Sequence, residues 1–379
     1  MLGATADSFA ASRFTAPKTR FHPPQKYVVD SFAETIAIGD LMGSRLPDVA
    51  VTTSFAGTPP GPSPNDYKLL IFPQRSDRSL GDPTILDAGR GTYMGFDIGD
   101  VNGDGDADVV HATDAGMELF EQGASGLKPG VPIDVENEPS GYPAQAQQVS
   151  IADVDRDGRK DLVVSSASEG LVLLRHTGTG FFARNISSKC PLSFDVGDVN
   201  GDHRLDVAAA DGVILRVYKR HTDGSYGSLK LPPDDPGPSD VEIADVTDDG
   251  RPDVSAPITE NNPGSHVDVY KQTRRHKLRR RPIDHWSYDV GWQVEAANMN
   301  HDGRGKDLVV LHSGYVALGV YAVLPGSEFA PEQLFGVHAS PINPRGLAVG
   351  DINHDRWNDA VVADPYGVIW VMRQRPRRG

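Results

Sequence analysis

The chain has 379 residues, with 52 Asp and Glu against 37 Lys and Arg, a formal charge of −15 and one Cys. That balance argues against nucleic acid as the main partner, since polyphosphate recognition needs a basic surface, and one cysteine leaves no internal disulfide to form. No run of about 18 apolar residues occurs, so no membrane insertion is expected.

In chain order, residues 1–24 read as an N-terminal extension, and residues 25–379 as a single domain of repeats. The opening MLGATADSFAASRF lacks a basic segment followed by an apolar one. An export signal is therefore expected either to have been removed or never to have been present. QKYVVD (25–30) is a spare extended piece ahead of the first repeat strand, ETIAIG (34–39). From there an aspartate-rich loop between two apolar strands recurs at 39–51, 99–112, 152–166, 197–210, 244–257, 298–312 and 350–363. The lead residues are Asp40, Asp100, Asp153, Asp198, Asp245, Asn298 and Asp351, at successive gaps of 60, 53, 45, 47, 53 and 53 residues. A repeat of about 50 residues is the period of a propeller blade. The second repeat reads as strands at 93–99, 107–112, 116–120 and a ragged 127–134. Third strands recur as LVLLRH (171–176), VILRVYK (213–219), HVDVYKQ (266–272), YVALGVYAV (315–323) and VIWVMR (368–373). Four strands in each of seven repeats predict an all-β fold, a seven-bladed β-propeller of four-stranded antiparallel blades. The last repeat stops after its third strand, so residues 25–30 are expected to complete blade seven and close the ring.

The loops carry oxygen donors at positions 1, 3, 5 and 9, the spacing at which alternate side chains of a curled loop converge on a hard cation. In loop two these are Asp100, Asn102, Asp104 and Asp108; in loop three Asp153, Asp155, Asp157 and Asp161. Loop four offers Asp198, Asn200, Asp202 and Asp206, and loop seven Asp351, Asn353, Asp355 and Asp359. Loop five has Asp245, Asp249 and Asp253, with Thr247 at position 3; loop six has Asn298, Asn300, Asp302 and Asp307, with one extra residue. Loop one keeps only Asp40 and Asp48 and is expected to bind nothing. Calcium at about five firm sites and a weak sixth follows, and about twelve ionic charges would offset most of the acidity. Position 6 calls for a glycine in a sharp turn, so His203 and Arg356 there predict strain. An EF-hand is excluded, because helices should flank such a loop and a Glu should stand at position 12.

The phrases FDIGDVNGDGDADVV and FDVGDVNGDHRLDVAAA resemble the FG-GAP/VCBS repeat of integrin α-type propellers and propeller lectins. The resemblance implies the fold and calcium at the Asp and Asn positions above, in only some blades. It implies an extracellular or cell-surface setting and a range of activities: adhesion, sugar binding and, less often, lyase chemistry.

A ligand is expected on the face opposite the metal loops, on irregular loops over a rigid scaffold. Its longest members are 54–67 and 257–266, followed by DHWSYDVGW (284–292). There Trp286, Tyr288 and Trp292 are expected to stand together, with His285, Asp289, Glu260, Asn261, Asn262 and His266 in reach. Aromatic faces beside amides and carboxylates suit a sugar ring; alternatively Trp286 and Trp292 pack between blades five and six. His111 and His312 end second strands near that face without a triad or ligand set. The run RRHKLRRR (274–281) reads as a solvated hairpin on the metal-loop face, or as a contact for an acidic glycan or partner. A binding module for carbohydrate or protein leads. The alternatives are a sugar-active enzyme such as a polysaccharide lyase, although no motif fixes its base, and a structural subunit of a surface assembly.

Overall fold

The structure, a computed structural model, describes residues 18–54, 66–136, 143–232, 236–261, 263–313, 317–326, 328–337 and 346–375. Among the described residues every regular element is a strand, and no helix is long and apolar enough to cross a membrane. Seven antiparallel sheets follow one another along the chain. In blade one the strands run Phe32–Gly39, Asp48–Ser54, Lys68–Phe72 and Thr84–Asp87, each pairing with the next. Blades four, five and six repeat that order, and blade three adds a short outer strand, Val135–Glu136, parallel to Phe181–Ser187.

Closure is as the sequence predicts. Blade seven takes Gly346–Gly350, Asp359–Asp364 and Val368–Met372 from the C-terminal end and Gln25–Val28 from the N-terminal end, in register Gln25↔Val371 to Val28↔Val368. The seam continues beyond the strand: His22 N–H donates to Arg373 O (2.8 Å) and Arg375 N–H to Arg20 O (2.7 Å). Blade two departs from expectation. Its first strand begins at Phe96, because Met94 turns through a φ of 52°. Of 127–134 only Val131–Pro132 pairs with the third strand, while Gln122–Gly123 and Gly126–Leu127 form a separate small hairpin. Pro129 and Pro132 lack the donors a longer ladder would need.

Second strands are buried on both sides because each blade is covered by two neighbours. All seven residues of Asp48–Ser54 are buried. The interblade layers mix residues of adjacent blades, such as Val49 and Leu70 with Val361 and Ile369, or Val110 and Met117 with Leu162 and Val172. At the narrow inner end only small residues fit. A Cβ on Gly39 would lie 2.9 Å from Ile98 of blade two, and one on Gly197 would lie 2.7 Å from Ile243 of blade five. The same place is held by Gly99 and Gly350 in blades two and seven and by Ala152, Ala244 and Ala297 in blades three, five and six.

Removing residues 1–30 deletes the outer strand of blade seven and exposes the edge of Val368–Met372. The truncated protein should melt well below the full chain in a thermal scan; equal melting would contradict closure by this strand.

Candidate functional site

The seven aspartate-rich loops share one backbone shape. Position 4 has a positive φ in every loop (Gly43, Gly103, Arg156, Gly201, Asp248, His301, His354), and so does position 6 (Arg45, Gly105, Gly158, His203, Gly250, Gly303, Arg356). His203 and Arg356, at 66° and 72°, therefore carry the left-handed strain the sequence implies. Loop one keeps the shape although its acids at positions 3 and 5 are gone.

The lead aspartate holds the turn. Asp100 accepts the N–H groups of Gly103 (2.7 Å), Asp104 (3.1 Å) and Gly105 (2.9 Å). The aspartate at position 9 does something the sequence did not announce: it ties three strands together. Asp48, Asp108, Asp161, Asp206, Asp253, Asp307 and Asp359 are at most 1% exposed. Each accepts, at 2.7–2.9 Å, the N–H of a residue where the third strand ends: Gln74, Gln122, His176, Arg220, Gln272, Val323 and Gln374. In loops one, two, three and six the second carboxylate oxygen accepts the position-2 N–H of Leu41, Val101, Val154 and Met299. Burial pushes these carboxyls up against the pull of their N–H donors, to about 6 for Asp161, Asp206, Asp253 and Asp307 and about 7 for Asp359.

Loop three fits a cation best. One carboxylate oxygen from each of Asp153, Asp155 and Asp161 lies within 4.8 Å of the others, close enough for a shared hard ion. Orphaned acceptors elsewhere agree: Asp249 Oδ1 and Asp359 Oδ2 are buried without a hydrogen-bond donor among the described residues. Two loops are arranged differently. Asn200 Nδ2 donates to Asp206 (2.8 Å) and Asn300 Nδ2 to Asp307 (3.1 Å), so an amide spans position 3 and the closing aspartate, which the extra residue of loop six moves to position 10. At position 5 the carboxylates of Asp157, Asp202, Asp249 and Asp302 are paired with Arg159, Arg204, Arg251 and Arg304 two residues on. The remaining ligand candidates, Asn102, Asp104, Asp245, Asn298, Asp351, Asn353 and Asp355, stand in their loops at the expected positions.

A second acidic feature escaped the sequence reading. The first strands surround a central channel with a cavity of about 400 Å³. Three residues before each loop's lead, the side chain lines it: Ala37, Asp97, Ser150, Asp195, Glu242, Glu295 and Ala348. The alternation of a two-residue period could have shown this, since an acid interrupts an apolar strand in FDIG, FDVG, VEIA and VEAA. Two of these acids are staples between blades: Asp97 accepts Ile151 N–H (2.7 Å) and Asp195 accepts Ile243 N–H (2.7 Å). Asp240, two residues ahead of Glu242 and just before that strand begins, accepts Val294 N–H (2.9 Å). Burial raises Glu295 to about 8, with Asp240, Asp195 and Asp97 adding repulsion, and lifts Glu242 well above the usual carboxylate range.

On the opposite face the aromatic segment is divided. Trp286 ends the outermost strand of blade five, Ile283–Trp286, paired with His266. Trp292 sits on the innermost strand of blade six, Gly291–Ala297, at a register shift beside the channel. The expected grouping of Trp286 with Trp292 is thus corrected: the two stand on the outermost strand of one blade and the innermost strand of the next, because residues 287–290 cross from one blade's rim to the next blade's centre. Trp286 and Tyr288 are 55% and 37% exposed, against the interblade packing of Trp286 considered as the alternative.

Their backbone is pinned from below. Tyr321 Oη donates to Trp286 O (3.1 Å), Ser287 N–H to Ser265 O (2.9 Å), and Tyr288 N–H to Glu332 Oε2 (2.8 Å). Glu332 Oε1 is 2.6 Å from His312 Nε2, both side chains being at most 2% exposed. His312 and the fully buried His111, which faces Glu118, are thereby placed in the scaffold. His285 packs edge-on to Phe329 at 4.6 Å, and burial lowers it to about 4. Asn261 is exposed, and its carbonyl accepts Gly264 N–H (2.9 Å). Asn262 and 55–65 of the long 54–67 loop lie outside the described residues. On the face of the aspartate-rich loops, 274–281 is a hairpin with buried Leu278 as its anchor and exposed Arg274, Arg275, Arg279, Arg280 and Arg281.

A carboxyl whose folded pKa is raised favours the fold below its unfolded value and loses that contribution as pH climbs to the folded one. Glu295→Gln should therefore raise the melting temperature by a few degrees near pH 9 and leave it unchanged near pH 4, as scanning calorimetry would read. A Cβ on Gly319 would strike both Glu332 and His312. Gly319→Ala should accordingly destabilise the protein and alter the fluorescence of Trp286, whereas an unchanged protein would deny the pair its supporting role.

Residues 153–209 and 198–255 match the FG-GAP-like repeat. No curated protein matches the chain in sequence. Among solved structures, BBS1N in complex with ARL6DN superposes with a TM-score of 0.66 at 12% identity, over 96% of this chain and 99% of that one. An Agrocybe aegerita lectin, described for specific recognition of non-reducing terminal N-acetylglucosamine, superposes with a TM-score of 0.58 at 16% identity, over 90% of this chain and 86% of that one. At those identities the likeness concerns the fold, and with it the chain is a seven-bladed β-propeller carrying FG-GAP-like repeats.

Proposed function

We propose that the protein is a calcium-stabilised extracellular module that binds carbohydrate on the face opposite its metal loops. The observation that carries this reading is the pairing of exposed aromatic side chains with an immobilised backbone at Trp286–Tyr288. An aromatic platform fixed before the ligand arrives loses little entropy on binding, and a flat face beside His266, the cross-strand partner of Trp286, suits the CH face and hydroxyl edge of a sugar. The lectin with the same fold supports carbohydrate as the ligand class. The structure with ARL6DN supports protein recognition as the second reading, which the same exposed aromatics would serve.

Calcium would be held in loop three by Asp153, Asp155 and Asp161, with Asp157 completing the set. Loops two, four, five and seven carry comparable donors, and loop six a weaker set. The ion would supply positive charge among carboxylates and couple metal binding to folding. Such exposed, all-oxygen loops suit the calcium concentrations found outside cells.

Two measurements test this. Chelation should lower the melting temperature substantially, and added calcium should restore it; insensitivity to both would contradict the calcium reading. On a glycan array the wild type should bind a defined set of sugars without turnover, and Trp286→Ala should lose at least about tenfold in affinity at unchanged melting temperature. Binding that persists in Trp286→Ala would remove this face as the site.

A further inference from the structure

The geometry points to a second site, on the metal-loop face between blades three and four, built for the anionic group of an acidic sugar. A cleft of about 450 Å³ opens there between the outer strands of blade three and the turn joining the third and fourth strands of blade four. Its charged lining is Arg175, Arg184 and Arg220 against Asp223 alone. In a chain of net charge −15, three guanidiniums against Asp223 in the lining, with Asp155 beside Arg175, leave a local excess of positive charge.

The arginines are brought together by the fold. Gly224 is buried in the turn with a φ of +78°, and a Cβ there would lie 2.6 Å from Arg184 Nη1 and 3.7 Å from Arg220 Nη2. Two guanidiniums thus flank one side-chain-free point. Arg220 Nε is buried and has no hydrogen-bond acceptor among the described residues. Arg175 is 3.6 Å from Asp155, a loose pairing that leaves donors on its planar fork. Asp223 Oδ1 accepts the N–H and hydroxyl of Ser225 at 2.9 and 2.6 Å, and the carboxylate offsets one of the three positive charges. Like charges gathered around an orphaned donor are unfavourable until an anion bridges them, and carboxylate or sulfate oxygens match the guanidinium fork.

The rest of the cleft argues for a sugar as the carrier of that anion. Phe182, 40% exposed, offers a flat apolar face and Thr222 a hydroxyl, while the Thr177 hydroxyl donates to Gly180 O (2.9 Å) and can only accept. An aromatic face for ring CH groups, hydroxyls for ring hydroxyls and arginines for a carboxylate or sulfate together describe an acidic monosaccharide unit. The volume lies within the range of small-ligand pockets and is concave, unlike the broad surface a folded protein partner requires. This site is independent of the Trp286 platform, which lies on the other face, and of the basic hairpin 274–281 in blade five.

The test is calorimetric titration of the full chain in calcium-containing buffer with glucuronic acid, N-acetylglucosamine 6-sulfate, their neutral parents, inorganic sulfate and an acidic peptide. The charged sugars should bind at least about tenfold more tightly than the neutral ones, an advantage Arg184→Ala reduces and Arg184→Glu abolishes. Arg184 is exposed, so its variants should melt as the wild type does. Trp286→Ala and the hairpin variant Arg279→Glu/Arg280→Glu should bind as the wild type does, which separates this site from the other two. Equal binding of charged and neutral sugars, or full binding by Arg184→Glu, would overturn the proposal. So would inorganic sulfate or the acidic peptide binding as tightly as the charged sugar.

Discussion

Each blade hangs on one buried carboxylate. The aspartate that opens the second strand sits between the loop behind it and the third strand's exit, and its oxygens are the acceptors for backbone N–H groups that no ladder reaches. A buried N–H without an acceptor is expensive, and burying a carboxylate is expensive too; each offsets the other's cost. The glutamines at several third-strand exits extend the tie to the neighbouring blade: Gln122 Nε2 donates to Asp40 O (2.6 Å) and Gln374 Nε2 to Met299 O (2.7 Å). The ring is therefore held by polar bonds at its loop ends and by apolar layers through its thickness. Persistence of Asp48 in blade one, where the acids at positions 3 and 5 are missing, separates this structural duty from metal binding.

With the frame so fixed, surfaces can vary. Ala, Ser, Asp or Glu line the channel from equivalent positions, and the four acids there press their pKa values upward without disturbing the strands that bear them. On one face, the crossing between blades five and six raises two aromatics above a buried His312–Glu332 pair. On the other, a glycine turn in blade four lets two arginines approach one another. Both features sit at a boundary between blades, where one blade supplies a rigid strand and the next a free turn.

Much of this was legible in the residues. Period and loop spacing gave seven four-stranded blades, and the missing last strand pointed to residues 25–30. Strained left-handed positions at His203 and Arg356 followed from the absence of glycine. What stayed hidden depended on distance in space. Asp161 and its counterparts look like ligands in a one-dimensional pattern, and only the folded chain reveals the N–H of His176 waiting beside it. Trp286 and Trp292 are six residues apart in sequence, yet the chain between them spans from a blade's rim to the ring's centre. The arginine cleft draws on residues 175, 184 and 220, which no local motif unites. The channel acids were within reach, because strand alternation marks them, but acids next to aspartate-rich loops are easily credited to the same loops.

The clasp itself is open to one direct measurement: urea unfolding of Asp48→Ala and Asp161→Ala in the presence of a chelator. If the position-9 aspartate is foremost a backbone acceptor, both variants lose about 2–5 kcal/mol with metal absent, since Asp48→Ala strands the N–H groups of Leu41, Met42 and Gln74 and Asp161→Ala those of Val154 and His176. If Asp48→Ala unfolds like the wild type and Asp161→Ala is weakened only when calcium is supplied, the carboxylate is a metal ligand first and the account of the blade fails.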